Sequence, residues 1–145
     1  MRRSWLVVPL LLLLGACTGP VRSFNVYESK AGATAETAAS AVETARLATD
    51  AAAGDKASGR YLTQILLEAE EDAGAAQGIF DGIQPPDRRA DELRDQLDEL
   101  LGEATDTLAS LRIAARRGEL ATLPHLAEPL AEVAAKLHAF AEAHG

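Results

Sequence analysis

Beyond residue 25, apolar positions recur at alternating steps of three and four, and Pro, Gly and polar clusters cut the pattern into four segments. They run over about 26–53, 59–84, 87–117 and 122–144, with breaks at Gly54-Asp55-Lys56-Ala57-Ser58-Gly59, Gln84-Pro85-Pro86-Asp87 and Arg117-Gly118-Glu119. In the last segment the stripe is Leu123, Leu126, Leu130, Val133, Leu137, Phe140 and His144. The third carries Ala90, Leu93, Leu97, Leu100, Ala104, Thr107, Leu111 and Ala114, flanked by Leu101 and Leu108. In the second, Leu62, Ile65, Ala69, Asp72, Ala76, Ile79 and Ile83 form the seam, widened by Leu66, Ala73 and Phe80. Each is the core-facing stripe of an amphipathic helix, and strand alternation is absent. Short breaks favour antiparallel neighbours. The pattern predicts an all-α fold, an antiparallel up-down four-helix bundle over residues 26–145; three helices plus a loose first segment is the alternative.

Local signals refine the boundaries. Asp87 and Thr122 are candidate N-caps, and Pro129 predicts a kink or a helix restart near Glu128. The first segment is unusual: its inner face reads Ala31, Thr34, Ala35, Ala38, Ala41, Val42, Ala45, Ala48, Thr49 and Ala52. Alanine favours helix, but a buried methyl contributes little beside the roughly 1.5–3 kcal/mol of a buried Leu. Either this face packs very close to its neighbours, or the helix covers a shallow groove and moves aside for a partner.

Composition removes several function classes. With 14 Lys+Arg against 22 Asp+Glu, the formal charge is -8, a poor basis for binding a nucleic-acid backbone. One Cys makes neither an internal disulfide nor a Cys-based zinc site.

That Cys closes a targeting segment. Met1-Arg2-Arg3 is a basic start, Trp5 to Leu14 is an apolar run about half the length a membrane span needs, and Leu14-Gly15-Ala16-Cys17 follows. This segment resembles that of a bacterial prolipoprotein, whose lipobox is Leu, two small residues and Cys. The resemblance implies that 1–16 is a signal peptide removed behind Ala16 and that Cys17 carries the lipid, since a thiolate is the nucleophile that accepts it. Two or more acyl chains anchor firmly where one does so only marginally. Residues 17–25 then form a short tether, kept non-helical by Gly19-Pro20. The expected location is the extracytoplasmic face of a cell membrane. Arg2-Arg3 also leaves twin-arginine export open. Val26-Tyr27-Glu28-Ser29-Lys30, Phe80-Asp81-Gly82-Ile83-Gln84-Pro85-Pro86 and Ile113-Ala114-Ala115-Arg116-Arg117-Gly118 resemble small secreted lipoproteins of high-GC Gram-positive (actinobacterial) bacteria. This second resemblance implies the same envelope location and brings no activity with it.

Candidate chemistry is sparse. Asp72 falls on the second seam, where a buried carboxylate is costly unless it meets an Arg, a metal or a ligand amine. A small rotation of the helix would instead bring it to solvent. Glu68, Glu70 and Glu71 beside it look like a solvated face with some capacity for cations. His125 with Glu128 and His138 with Glu142 have helical spacing, but two ligands from one helix make a weak metal site. A di-iron bundle needs Glu-x-x-His pairs, which are absent, and haem has no suitable Met or free Cys. Thr34, Thr37, Ser40, Thr44 and Thr49 have no nucleophile elbow or base nearby. Gly74, Gly78 and Gly82 are either tolerated weakness near a helix end or a flat strip that lets another chain approach. The expectation is therefore a non-enzymatic, cofactor-free module, membrane-bound through Cys17, with an envelope protein as its possible partner. The alternative is a small-molecule or metal-ion carrier with its site between helices near Asp72 and Glu68.

Overall fold

The computed structural model describes residues 23–54 and 58–145, and the chain is an all-α helical bundle. The lipobox, Cys17 and most of the tether lie outside the described residues. The long helices are α1 (Phe24–Ala53), α2 (Gly59–Asp81) and α3 (Arg88–Arg117). A 3-10 turn (Leu120–Thr122) leads into α4 (Leu123–Ala127) and α5 (Leu130–His144), which together make the fourth arm.

The ends follow local chemistry. α1 begins at Phe24, slightly earlier than the pattern predicts, with the Arg89 guanidinium 3.8 Å from the Phe24 ring centroid. Ser58 caps α2 by accepting from the Tyr61 N–H at 3.4 Å, and Asp87 caps α3 by accepting from the Ala90 N–H at 3.0 Å. α2 stops at Asp81 rather than 84, because Gln84 precedes Pro85 and is pushed out of the helical region. Gly118 ends α3 at φ 73, a left-handed conformation in which its N–H and that of Glu119 cap the Ala115 and Ala114 carbonyls, each at 3.0 Å. Thr122 is not the N-cap expected: its backbone is already helical and its hydroxyl donates back to the Glu119 carbonyl at 2.8 Å. Pro129 breaks the fourth arm as predicted, with α5 starting immediately after it.

α1 is the centre of the packing. It meets α2 on one flank and α5 on the other, and it also touches α3 across the diagonal. Its buried face includes Ala31, Ala35, Ala38, Ala41, Val42 and Ala45, so small side chains let three neighbours approach together. Gly32 marks the closest point: a Cβ there would lie 2.7 Å from the His144 carbonyl oxygen of α5. The alanine face is thus a close-packing surface, and α1 is the hub of the bundle rather than its cover. Bulk comes from the partners, chiefly Leu97, Leu101, Leu108 and Leu111 on α3 and Leu130, Val133 and Leu137 on α5.

α2 departs from the expected seam. Its buried residues are Leu62 and Ala69 of the expected seam together with Leu66, Ala73 and Phe80, the three expected to widen it. Ile65 and Ala76 are half-buried, Asp72 is exposed, and Ile79 is 73 % exposed. Rotation of the helix keeps the Asp72 carboxylate in water, at the cost of leaving an isoleucine uncovered. Glu70, expected on a solvated face, instead reaches across to α3 and accepts two hydrogen bonds from the Arg112 guanidinium, one of them 3.2 Å long.

Candidate functional site

The rotation of α2 opens a groove of about 680 Å³ between α1 and α2. One wall is α1, from Lys30 through Thr34 and Thr37 to Ser40 and Thr44; the other is α2, from Ile65 to Ile79, with Ile83 just beyond its end. Both predicted site residues, Asp72 and Glu68, lie on the α2 wall, so the structure brings them together in one depression.

The α1 wall is more apolar than its sequence suggests. The Thr34, Thr37 and Thr44 hydroxyls donate to the carbonyls of Lys30, Ala33 and Ser40 at 2.9, 2.9 and 2.8 Å. A threonine bonded in this way to its own helix has its hydroxyl engaged and its methyl left to meet an occupant. With Ala33, Ala41, Ala75, Ala76 and the isoleucines, the groove is a mostly apolar trough. Its charges are Lys30 near one end and Glu68 with Asp72 on the opposite wall. Glu68 accepts from the Gln64 amide at 2.8 Å, while neither Lys30 nor Asp72 joins an ion pair among the described residues.

No catalytic or metal-holding arrangement accompanies the groove among the described residues. No three His, Cys, Asp or Glu side chains gather there or elsewhere in the described bundle. His125 does pair with Glu128, at 3.2 Å on an exposed surface. His138 turns away from Glu142 and meets Glu36 of α1 at 3.3 Å, and His144 meets Glu28 of α1 at 3.0 Å. The histidines of α5 therefore fasten it to α1 rather than pairing along their own helix.

A second polar cluster sits at the opening of the bundle and was not legible beforehand. Tyr27 is fully buried, its ring 5.2 Å from that of Phe80, and its hydroxyl accepts from Arg94 Nε at 3.0 Å. The same guanidinium donates to the carbonyls of Ile83 and Asp81, holding the chain where α2 ends. Burial pushes the Tyr27 phenol above its ordinary range, with the Arg94 hydrogen bond opposing that shift. Asp98, one turn along α3, has a buried carboxylate oxygen without a hydrogen-bond partner among the described residues. Burial raises its carboxyl above the usual range, Asp81 adds to the effect, and Arg94 opposes it. Only the long sequence separation between Tyr27 and Arg94 concealed this latch, because no local spacing links them.

Fold and surface together define a small all-α helical bundle with an apolar interhelical groove. The chain matches no protein-family profile, no curated protein and no solved structure.

Proposed function

We propose that this chain is a lipid-anchored, extracytoplasmic bundle that serves as a non-catalytic binding or assembly module of the cell envelope, engaging its partner through the α1–α2 groove. The lipobox Leu14-Gly15-Ala16-Cys17 supports the anchor, and the short tether would hold the bundle close to the membrane surface. The observation carrying the binding role is the groove itself: an apolar trough with the exposed Ile79 at its lip. The carrier alternative is favoured by one feature, the proximity of Asp72 and Glu68. It is weakened by the threonine hydroxyls, which are bonded to their own helix instead of awaiting a polar ligand.

The test is site-specific photo-crosslinking in cells making the full lipidated chain. A photo-reactive residue at Ile79 should give a discrete product, and one at Glu99 on α3 should not. Equal yields from both positions would overturn the groove as the binding surface. A thermal-shift panel addresses the carrier: a rise of several degrees with one cation or small molecule, abolished by Asp72→Asn, would favour it instead. Cys17→Ser should move the chain from the membrane to the soluble fraction; continued membrane association would remove the anchor from the proposal.

A further inference from the structure

We infer that the groove takes an amphipathic α-helix of another protein, about 20 residues long, with basic residues along the edge that faces α2. The inference rests on the groove being the binding surface and names the shape and charge of what fills it. Both walls are helices, so their backbone N–H and C=O groups are bonded within their own turns and offer no edge to an added strand. The hydroxyls of Thr34, Thr37 and Thr44 are likewise engaged, each with a carbonyl of α1. An extended peptide laid here would turn backbone groups toward methyls that cannot bond them. A helix carries its backbone bonds within itself and presents only side chains.

Both walls carry the matching periodicity. Lining positions on α1 step through Lys30, Ala33, Thr37, Ser40 and Thr44, and those on α2 through Ile65, Glu68, Asp72, Ala75 and Ile79. These are alternating steps of three and four along two antiparallel helices. Beyond Lys30 the α1 positions are all small, leaving a row of recesses that suits the ridge of a third helix. Exposed apolar side chains continue both rows: Val26 lies one turn before Lys30, and Tyr61 one turn before Ile65. Counted from the Tyr27–Phe80 contact, these two stand at opposite ends of the face, about 30 Å apart, the span of a helix of about 20 residues. The trough is open along its length, with Ala33, Thr37, Ser40 and Ala75 all exposed. A single acyl chain would keep one side in water, whereas a helix, roughly 10–12 Å across, is wide enough to cover them.

Charge orients the occupant. Glu68 and Asp72 stand one turn apart on the α2 wall, whereas from Ala33 to Thr44 the lining of the α1 wall has no charged residue. Asp72 joins no ion pair among the described residues, and Glu68 is bonded to a neutral group, the Gln64 amide. Two uncompensated carboxylates on one wall of an apolar trough are matched by two cations on the facing flank of the occupant, three or four residues apart along it. The formal charge of -8 over the chain adds a longer-range attraction of the same sense. Lys30, roughly 8 Å beyond the level of Asp72 toward the start of α1, is matched by an acidic residue near that end of the occupant.

The experiment places a photo-reactive residue at Ala75, on the α2 wall, in the full lipidated chain in its own membrane, and sequences the segment it captures. A segment of another protein is expected, with apolar residues at steps of three and four over about 20 residues and Lys or Arg along one flank. Glu68→Lys combined with Asp72→Lys should reduce its yield at least about tenfold. The same change of charge at Glu99 and Asp106, both exposed on α3, should leave the yield unaltered, with helical circular dichroism confirming that each variant folds. A synthetic copy of the captured segment should bind the full chain, and a proline at its centre should abolish that binding. Undiminished binding with the proline would overturn the helical form. A captured segment without the pattern, a second copy of this chain or a lipid would each overturn the helix and leave the groove as a binding surface. Equal effects from the two pairs of charge changes would overturn the basic edge. No product at Ala75 or Ile79 would overturn the groove reading as well.

Discussion

Arg94 Nε donates to the Tyr27 hydroxyl across 3.0 Å, tying the first turn of α1 to the first third of α3. The bond satisfies a phenol that is otherwise enclosed by Phe80 and the bundle interior. The same guanidinium holds two carbonyls at the end of α2, so one side chain joins three helices at this end.

Tyr27→Phe should therefore destabilise the bundle by about 1.5–3 kcal/mol, the range for losing a hydrogen bond to a charged group while keeping the ring. The pH dependence has a definite sign. The folded phenol titrates above its unfolded value, so the native state retains the proton that the unfolded chain releases. That contribution is fully present below the unfolded tyrosine range and is lost as pH rises through the folded value. Urea denaturation of both chains at neutral and strongly alkaline pH checks it. The wild type's advantage should shrink as the pH rises.

Asp98→Asn tests the unpartnered carboxylate. Burial raises the folded carboxyl's titration above that of the unfolded chain, so native protein binds its proton more readily. Stability is then complete below the unfolded carboxylate range and falls as pH rises through the folded value. At neutral pH the amide variant should be more stable by about 1 kcal/mol, the scale of one unsatisfied buried group. Below the carboxylate range that difference should vanish. Denaturant midpoints from pH 3 to 7 would show the two curves separating as the pH rises.

Legibility in the sequence followed how local the determining physics was. The helix stripes, the Asp87 cap, the Gly118 break and the restart after Pro129 depend on neighbours a few residues away, and all were readable. The rotation of α2 was not, because choosing between the Ile65–Asp72–Ile79 side and the Leu66–Ala73–Phe80 side depends on what α1 and α3 offer. Sequence placed Asp72 and Glu68 on the helix that lines the groove, and weighed the rotation that exposes Asp72. It did not reveal that Thr34, Thr37 and Thr44 make the facing wall: the pattern puts Thr34 on the inner face of α1, and nothing local links Thr37 or Thr44 to α2. The Tyr27–Arg94 latch and the Glu70–Arg112 pair join residues far apart in the chain, where no periodicity applies.

That last pair offers a measurable coupling. Arg112 and Glu70 keep only 19 % and 26 % of their side chains exposed and meet through two parallel hydrogen bonds. Such geometry supports more than the small contribution of a solvated ion pair. A double-mutant cycle of Arg112→Ala and Glu70→Ala should return a coupling of about 1 kcal/mol by chemical denaturation. Arg112→Lys should recover only part of it, because an ammonium cannot supply the fork. Zero coupling would mean that the pair is an incidental surface contact.

The glycines should divide by sign. At Gly32 an added methyl would sit 2.7 Å from the His144 carbonyl oxygen and 2.8 Å from its carbon, both backbone atoms that cannot swing aside. Gly32→Ala must therefore push α1 and α5 apart, straining the neighbouring Glu28–His144 and Glu36–His138 contacts, and should cost about 1–3 kcal/mol. At Gly74, Gly78 and Gly102 an added Cβ meets nothing within 4 Å, and all three lie inside helices. There, alanine removes conformational freedom from the unfolded chain without touching the fold, so each change should stabilise by about 0.5–1 kcal/mol. Thermal melts of the four single variants read both signs in one series. A neutral Gly32→Ala would show that α1 and α5 are less closely packed than this crossing indicates. Destabilisation by alanine at Gly74 or Gly78 would show that the outer strip of α2 is covered in the protein as it stands.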